Sequence, residues 1–189
     1  MIQSGTRRTV AVIGDQGAPE GTRNYSLGQQ VGALLCEAGF RVVTGGLGGI
    51  MEAASRGARE CPAWTPGTVI ALLPGFDPER ANAWADVVVP TGLDHLRNSL
   101  VAQADAVVAI GGGAGTLTEI ALAWIYRRPI VALRVDGWSG ELADRRIDDR
   151  VRYDTIPDDR VFGAGDAAEA VKIVRERIEQ YSRRHSRIR

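Results

Sequence analysis

Short apolar, β-branched runs alternate with helical patterns along almost the whole chain. Alternation of this kind is typical of β-α-β units arranged around a parallel sheet. Several runs are continuously apolar, which indicates strands covered by helices on both faces. The sequence predicts strands at residues 9–13, 41–44, 68–73, 86–89, 106–110, 130–134 and 160–163.

Helical patterns fill the intervals between these runs. Leu27, Val31 and Leu35 form one apolar stripe that ends at Gly39, which predicts a helix over residues 24–38. Further helices are predicted at 49–60, 93–104, 116–126 and 166–181. The charged segment 136–159 lacks a clear period and is interpreted as a surface loop, with a lid as the alternative.

These elements predict an α/β fold of Rossmann type, with a doubly wound, mostly parallel sheet of about six to seven strands and helices on both faces. A length of 189 residues suits one core, so we expect a single domain over residues 1–189. Its ends, residues 1–8 and 182–189, are expected to be flexible.

Charge and hydropathy exclude several classes of function. Basic and acidic residues balance at 23 each, so no net positive field favours a nucleic acid or an anionic membrane. The start of the chain lacks the apolar core of a signal peptide, and no apolar run approaches the roughly 20 residues that span a bilayer. We therefore expect a cytoplasmic protein.

Single residue types exclude further chemistry. Lys172 is the sole lysine and falls in the last predicted helix, so neither a Walker-loop lysine nor a Schiff-base lysine is expected. Cys36 and Cys61 lack CxxC spacing, so we expect reduced, buried thiols. With two histidines in the chain, no metal site is predicted.

Two glycine-rich turns each follow a strand and precede a helix. They hold Gly45, Gly46, Gly48 and Gly49 in the first, and Gly111, Gly112, Gly113 and Gly115 in the second. Helix N-termini offer unpaired N–H groups, and glycine allows close approach of an oxyanion, so both turns are predicted to bind phosphate. A tight strand-to-helix connection also needs glycine, and this structural alternative stays open for each turn alone.

Neither turn is a dinucleotide fingerprint, because Met51 and Thr118 occupy the third-glycine positions. Upstream of the second turn, Arg97 and Asn98 begin a predicted helix. Arginine suits phosphate because its planar guanidinium donates parallel hydrogen bonds, although an arginine in a first turn is otherwise simply solvated.

Three segments together resemble the LOG-like (LONELY GUY) superfamily of Rossmann-type nucleotide-binding proteins. They are Gly45 to Met51, Arg97-Asn98 and Gly111 to Glu119, within a resemblance that covers about residues 9–174. Early members of this superfamily were labelled lysine decarboxylases, and the single Lys172 gives that label no support.

The resemblance implies two functions. Enzymes of the family hydrolyse the N-glycosidic bond of nucleoside 5′-monophosphates, whereas a branch that resembles molybdenum cofactor carrier proteins holds a pterin phosphate unchanged. The enzyme motif has proline, glutamate and lysine where this chain has Gly111, Thr118 and Asn98. These departures favour a nucleotide-like or pterin-phosphate binding protein over a phosphoribohydrolase, with an interaction module that keeps a vestigial pocket as a third possibility.

The predicted site combines both lines of reasoning. Asp15, in the turn after the first strand, would repel phosphate but could accept hydrogen bonds from a base, pterin or ribose. No cofactor is required, and a molybdenum cofactor or nucleotide would be bound as the ligand. The resemblance also implies a homodimer, with residues 93–104 and 116–126 as its interface. The predicted ligand-binding residues are Gly14, Asp15, Gly45, Gly46, Gly48, Gly49, Met51, Arg97, Asn98, Gly111, Gly112, Gly113, Gly115, Thr116 and Glu119, with Glu119 and Arg97 catalytic only in a hydrolase.

Overall fold

A computed structural model describes residues 7–181. Seven parallel strands form one sheet in the order β4-β3-β2-β1-β5-β6-β7. The strands are β1 Thr9–Gly14, β2 Arg41–Thr44, β3 Val69–Leu73, β4 Val87–Pro90, β5 Ala106–Ile110, β6 Ile130–Leu133 and β7 Val161–Ala164. All seven predicted strands are confirmed, and each bound lies within one residue of its prediction.

Helices cover both faces of this sheet. They are α1 Arg23–Glu37, α2 Ile50–Glu60, α3 Asn98–Val101, α4 Ala114–Ile125, α5 Trp138–Leu142 and α6 Ala167–Arg177, with 3-10 turns at Pro78–Arg80 and Asp94–Arg97. Apolar residues of α1, α2 and α6 pack in one core, and those of α3 and α4 pack in a second core on the opposite face. The predicted doubly wound α/β fold is therefore confirmed.

Two helix predictions and one loop prediction need correction. Residues 93–104 do not form one helix, because Gly92 and Asp94 have φ angles of 65° and 49°, and a 3-10 turn precedes the short α3. The last helix ends at Arg177 rather than at residue 181. The segment 136–159 is not entirely loop, since it contains α5.

The strand order creates a switch point at β1. This strand pairs with β2 on one side and with β5 on the other, so the chain leaves β1 and β5 in opposite directions. In open α/β sheets, ligands bind in the crevice at the carboxyl ends of the strands at such a point. The two predicted glycine-rich turns follow β2 and β5 and therefore border this crevice.

Helices α1 and α2 pack with their backbones in direct contact. A Cβ atom at Gly32 would lie 2.0 Å from the carbonyl oxygen of Ala54, and one at Gly57 would lie 1.9 Å from that of Gln29. Glycine at these positions is required by the packing, although it is unfavourable within a helix.

The change Gly32→Ala is expected to lower the free energy of unfolding by about 2 kcal/mol, because the forced separation of the helices outweighs the gain of about 1 kcal/mol in helix propensity. Gly28→Ala is the matched control, since its Cβ would meet the Cβ of Ala53 at 3.1 Å. Urea denaturation of the three proteins measures the difference. A Gly32→Ala protein as stable as the unmodified chain would contradict this description of the interface.

Within residues 7–181, no helix combines the length and the apolar character needed to cross a lipid bilayer.

Candidate functional site

A cavity of about 400 Å³ opens at the carboxyl ends of β1, β2 and β5. Both glycine-rich turns border it, the first through Gly45 and the second through Gly113 and Gly115. The structure therefore brings the two predicted turns to one concave site. Its size suits one small organic phosphate, because pockets for such ligands range from roughly 300 to 1,000 Å³.

The N-terminus of α4 is the feature of this cavity whose geometry best suits an anion. Gly113 precedes the helix, and no side chain caps it. The first intrahelical hydrogen bond is donated by Leu117 N–H to the carbonyl of Gly113, at 3.0 Å. The amides of residues 114–116 precede this bond, so they have no intrahelical acceptor and carry the positive end of the helix dipole.

Gly111 and Gly112 shape this turn from behind and do not line the cavity. Their φ angles are 62° and 89°, and a Cβ at Gly112 would lie 2.1 Å from Thr116 Oγ1. The N-terminus of α5 holds the turn, since the amides of Trp138 and Ser139 donate to the carbonyls of Gly112 and Gly111 at 3.0 and 3.1 Å.

Ser139 completes this support. It is fully buried, its Oγ accepts from the amide of Gly111 at 2.7 Å, and it donates to the carbonyl of Leu133 at 2.7 Å. The sequence prediction missed both Ser139 and α5. A small polar residue in a charged segment gives no local signal that it will be buried behind a turn more than 20 residues earlier.

The first glycine-rich turn frames the cavity in a different way. The amide of Ile50, the first residue of α2, donates to the carbonyl of Asp15 at 3.0 Å, so this N–H group already has an acceptor within the protein. A Cβ at Gly49 would lie 2.2 Å from the same carbonyl oxygen. Gly46 packs against Leu73, with φ at 79°. These glycines permit close backbone packing, and only Gly45 of the turn's glycines lines the cavity.

Arg97 and Glu119 form a buried pair on the cavity wall. Arg97 Nη1 lies 3.5 Å from Glu119 Oε1, and the two residues are 7% exposed each. The guanidinium lies against Gly45, where a Cβ would be 2.5 Å from Nη1. Burial raises the pKa of Glu119 to about 7 even though Arg97 opposes this shift, and burial also lowers the pKa of Arg97. Arg97 thus links the two glycine-rich turns.

The raised pKa of Glu119 has a consequence for stability. Folding favours the protonated form of this carboxyl. Its contribution to the free energy of unfolding is therefore complete below the ordinary pKa of 4.5 and is lost as pH rises to about 7. The unmodified chain is expected to lose stability relative to Glu119→Gln across this interval and to level off above it. Denaturation at a series of pH values measures the difference, and a difference that does not change with pH would contradict the assignment.

Asn98 and Thr116 complete the buried polar lining and are 6% and 4% exposed. The side-chain nitrogen of Asn98 lies 4.0 Å from the position that a Cβ of Gly115 would take. The Asn98 side-chain amide therefore lies close to the uncapped N-terminus of α4, where it is placed to donate a further hydrogen bond to an anion.

The mouth of the cavity is more acidic and more exposed than its wall. Asp15 accepts a hydrogen bond from the amide of Gly17 at 2.8 Å, and Asp94 and His95 are almost fully exposed. The sequence prediction included Asp15 but did not include His95. Cavity-lining residues that it missed are Ile13, Gln16, Leu47, Pro74, Asp94 and His95. Gln16 and Leu47 adjoin predicted residues, and this adjacency was the available signal.

Of the predicted site residues, ten line the cavity: Gly14, Asp15, Gly45, Met51, Arg97, Asn98, Gly113, Gly115, Thr116 and Glu119. The others, Gly46, Gly48, Gly49, Gly111 and Gly112, lie in the turns outside the lining.

Comparisons with known proteins point to one family. A family model described as "SLOG cluster4 family" matches residues 7–169. The molybdenum cofactor binding protein of Rippkaea orientalis is 27% identical, with 93% of this chain and 99% of that chain covered and a TM-score of 0.75. The molybdenum cofactor carrier protein of Chlamydomonas reinhardtii is 25% identical, with 90% and 98% covered and a TM-score of 0.70.

Two other proteins are similar over less of their sequence or only in fold. A cytokinin riboside 5′-monophosphate phosphoribohydrolase of Mycobacterium tuberculosis is 32% identical over 130 residues, which cover 64% of this chain and 67% of the relative. DNA processing protein A of Helicobacter pylori is 18% identical, covers 90% of this chain and 81% of that one, and has a TM-score of 0.64. That last likeness concerns the fold alone, so the fold by itself does not select the ligand.

Proposed function

Because this chain belongs to the SLOG cluster4 family, we propose that it binds a phosphate-bearing nucleotide-like or pterin ligand and holds it without cleaving it. This membership agrees with the resemblance to the LOG-like superfamily in the sequence. One observation carries the proposal: the uncapped N-terminus of α4 opens into a cavity lined by Gly113, Gly115 and Thr116. Backbone amides at a helix N-terminus bind phosphate without any lysine.

The molybdenum cofactor carrier proteins among the structural relatives suggest a pterin phosphate as the ligand. The cavity residues fit such a group, because the phosphate is an oxyanion and the α4 amides, Asn98 and Arg97 are donors. Arg97 Nε is buried and has no hydrogen-bond acceptor within residues 7–181, which leaves donor capacity on this side chain. Asp15 at the mouth supplies an acceptor for the N–H groups of a pterin or purine.

Hydrolysis is the second candidate and is favoured by the phosphoribohydrolase relative. Cleavage of a ribosyl bond passes through an oxocarbenium-like state that a nearby carboxylate stabilises. Glu119 is the carboxylate on the cavity wall, but it is paired with Arg97, and burial favours its neutral form. Thr118, which replaces the first of the two motif glutamates, is exposed and donates its hydroxyl to the carbonyl of Ala114 at 2.9 Å. At the two motif positions in α4, the chain thus offers one carboxylate where the enzyme motif has two.

A turnover assay tests the choice between these functions. The purified chain is incubated with AMP and other nucleoside monophosphates, and free base is sought by chromatography while binding is followed by calorimetry. We expect saturable binding of a phosphate ligand and no release of base. Base release that disappears in Glu119→Ala would overturn the carrier proposal, and absence of binding by AMP and by a pterin phosphate would overturn both candidates.

We further propose that the chain forms one domain and a homodimer. The single sheet supports the first statement. For the second, Leu93, Leu96 and Leu100 expose apolar side chains around the 3-10 turn and α3, and Ile125 does so at the end of α4. Light scattering after size exclusion is expected to give twice the chain mass, and a mass of one chain would exclude the dimer.

A further inference from the structure

Helices α1 and α2 run side by side in the same direction with a fixed register. Gly28 faces Ala53, and Gly32, one turn further along α1, faces the adjacent Ala54. The contact of Gly57 with Gln29 belongs to the same seam. Each contact pairs a residue of α1 with one of α2 some 22 to 28 positions later in the chain. Because both helices follow neighbouring parallel strands, their carboxyl ends also lie together.

Two turns beyond the Gly28–Ala53 contact, the same spacing of 25 positions along the chain pairs Cys36 with Cys61. Cys36 lies in the last turn of α1, and Cys61 is the residue that ends α2. Cys61 packs against the core cluster that contains Cys36. Cys61 also lines one groove with Glu37, the residue next to Cys36 in α1. In agreement with this placement, burial and then the Cys61 thiol raise the pKa of Cys36 to about 12. Both cysteines are free thiols in this structure.

The two thiols differ in their access to solvent. The sequence predicts that both thiols are buried, and Cys36, which is 1% exposed, agrees with this prediction. Cys61 departs from that prediction, because it is half-buried and lines a surface groove of about 540 Å³ between the two helices. A small oxidant that enters this groove reaches Cys61 first, while Cys36 lies behind it in the core.

We propose that Cys36 and Cys61 form a reversible intramolecular disulfide, with Cys61 as the residue that reacts with a hydroperoxide and Cys36 as the residue that resolves the product. In the first step, the Cys61 thiolate attacks one peroxide oxygen and the O–O bond breaks, which gives Cys61 sulfenic acid. The other oxygen leaves, after protonation, as water from hydrogen peroxide or as an alcohol from an organic hydroperoxide. In the second step, Cys36 sulfur attacks the sulfenic sulfur and releases water. Two thiols lose two electrons in total, and a dithiol reductant returns them.

The disulfide would join the far ends of α1 and α2, away from the cavity at the start of α2. It closes a loop between positions 36 and 61, so it restricts the unfolded chain and is expected to raise the temperature of unfolding. Ligand binding is not required for this chemistry, so the inference is independent of the proposed function.

Intact-mass measurement tests the disulfide directly. The reduced, folded chain is exposed to hydrogen peroxide, quenched with N-ethylmaleimide in denaturant and weighed with and without prior treatment with dithiothreitol. We expect a monomer that has lost two hydrogen atoms and takes no maleimide, and that regains two labelling sites after reduction. The unfolding temperature of the oxidised monomer is expected to exceed that of the reduced one.

Single variants assign the roles of the two thiols. Cys61→Ser is expected to leave Cys36 reduced under the same exposure, whereas Cys36→Ser is expected to accumulate sulfenic acid or a mixed disulfide at Cys61. Because Cys36 is buried, the serine variant at this position is checked for folding by circular dichroism, and the unmodified chain alone decides the main claim. Retention of two maleimide sites after oxidation, or cross-linking only between chains, would overturn the proposal.

Discussion

Replacement of Gly115 by aspartate is expected to weaken binding of a phosphate ligand about 100-fold while the fold stays intact. A side chain has room here, because the nearest heavy atom to a Cβ is Asn98 Nδ2 at 4.0 Å. An acid in the first turn also complements the dipole of α4, so folded stability is not expected to fall. A carboxylate about 4 Å from a phosphate, in partly wet surroundings, costs roughly 3 kcal/mol, which is about two decades of affinity.

Gly115→Asn is the matched control, since it has the same shape and hydrogen-bonding reach without the charge. It is expected to bind the phosphate ligand within about tenfold of the unmodified chain. Calorimetric titration with AMP or a pterin phosphate gives the two affinities, and thermal melts verify the fold. Equal affinities of the aspartate and asparagine variants would mean that the phosphate does not lie at the N-terminus of α4.

The largest loss of stability is expected from Arg152→Ala. Arg152 Nε lies 2.8 Å from Asp159 Oδ2, and the guanidinium stacks 3.6 Å from the ring centre of Trp124. Its Nη1 also donates to the carbonyls of Trp124 and Arg128. Removal of the arginine leaves Asp159, which is 2% exposed, as a buried charge without its ion-pair partner. Breaking a buried pair in this way costs about 3 to 5 kcal/mol.

The ion pair of Arg150, close to Arg152 in the chain, provides a control for this change. Arg150 lies two residues before Arg152 and pairs with Asp148, but the Arg150 side chain is 72% exposed. Arg150→Ala is therefore expected to leave the unfolding midpoint nearly unchanged, because exposed pairs contribute little. Denaturation by urea compares the two variants. If both substitutions lowered the free energy of unfolding by similar amounts, the buried Arg152–Asp159 pair would not be what attaches residues 150–159 to α4.

Local signals made most of the fold predictable from the sequence. Buried parallel strands are continuously apolar, so β5 and the glycines that follow it could be recognised without tertiary information. The 3-10 turn before α3 escaped prediction because its apolar spacing resembles that of a helix. The left-handed conformation of Asp94, at the start of this turn, depends on backbone geometry that residue type does not specify.

The candidate site was predictable from the sequence where it consists of backbone amides. It was less predictable where it depends on side chains that are far apart in the sequence. Gly113 and Gly115 follow from a strand that breaks into glycines at a helix start. The pairing of Arg97 with Glu119 joins positions 22 residues apart, and no local pattern encodes it. The role of Gly49 as a packing contact for the Asp15 loop was equally hidden, because glycines that bind anions and glycines that pack backbones look the same in sequence.

A crystal structure of the chain with AMP bound at saturation tests the phosphate site most directly. The phosphate oxygens are expected within about 3 Å of the amides of Gly115 and Thr116, with Asn98 or Arg97 as a further donor and an intact glycosidic bond. A phosphate bound elsewhere on the protein, with the first turn of α4 making no contact to it, would contradict this assignment.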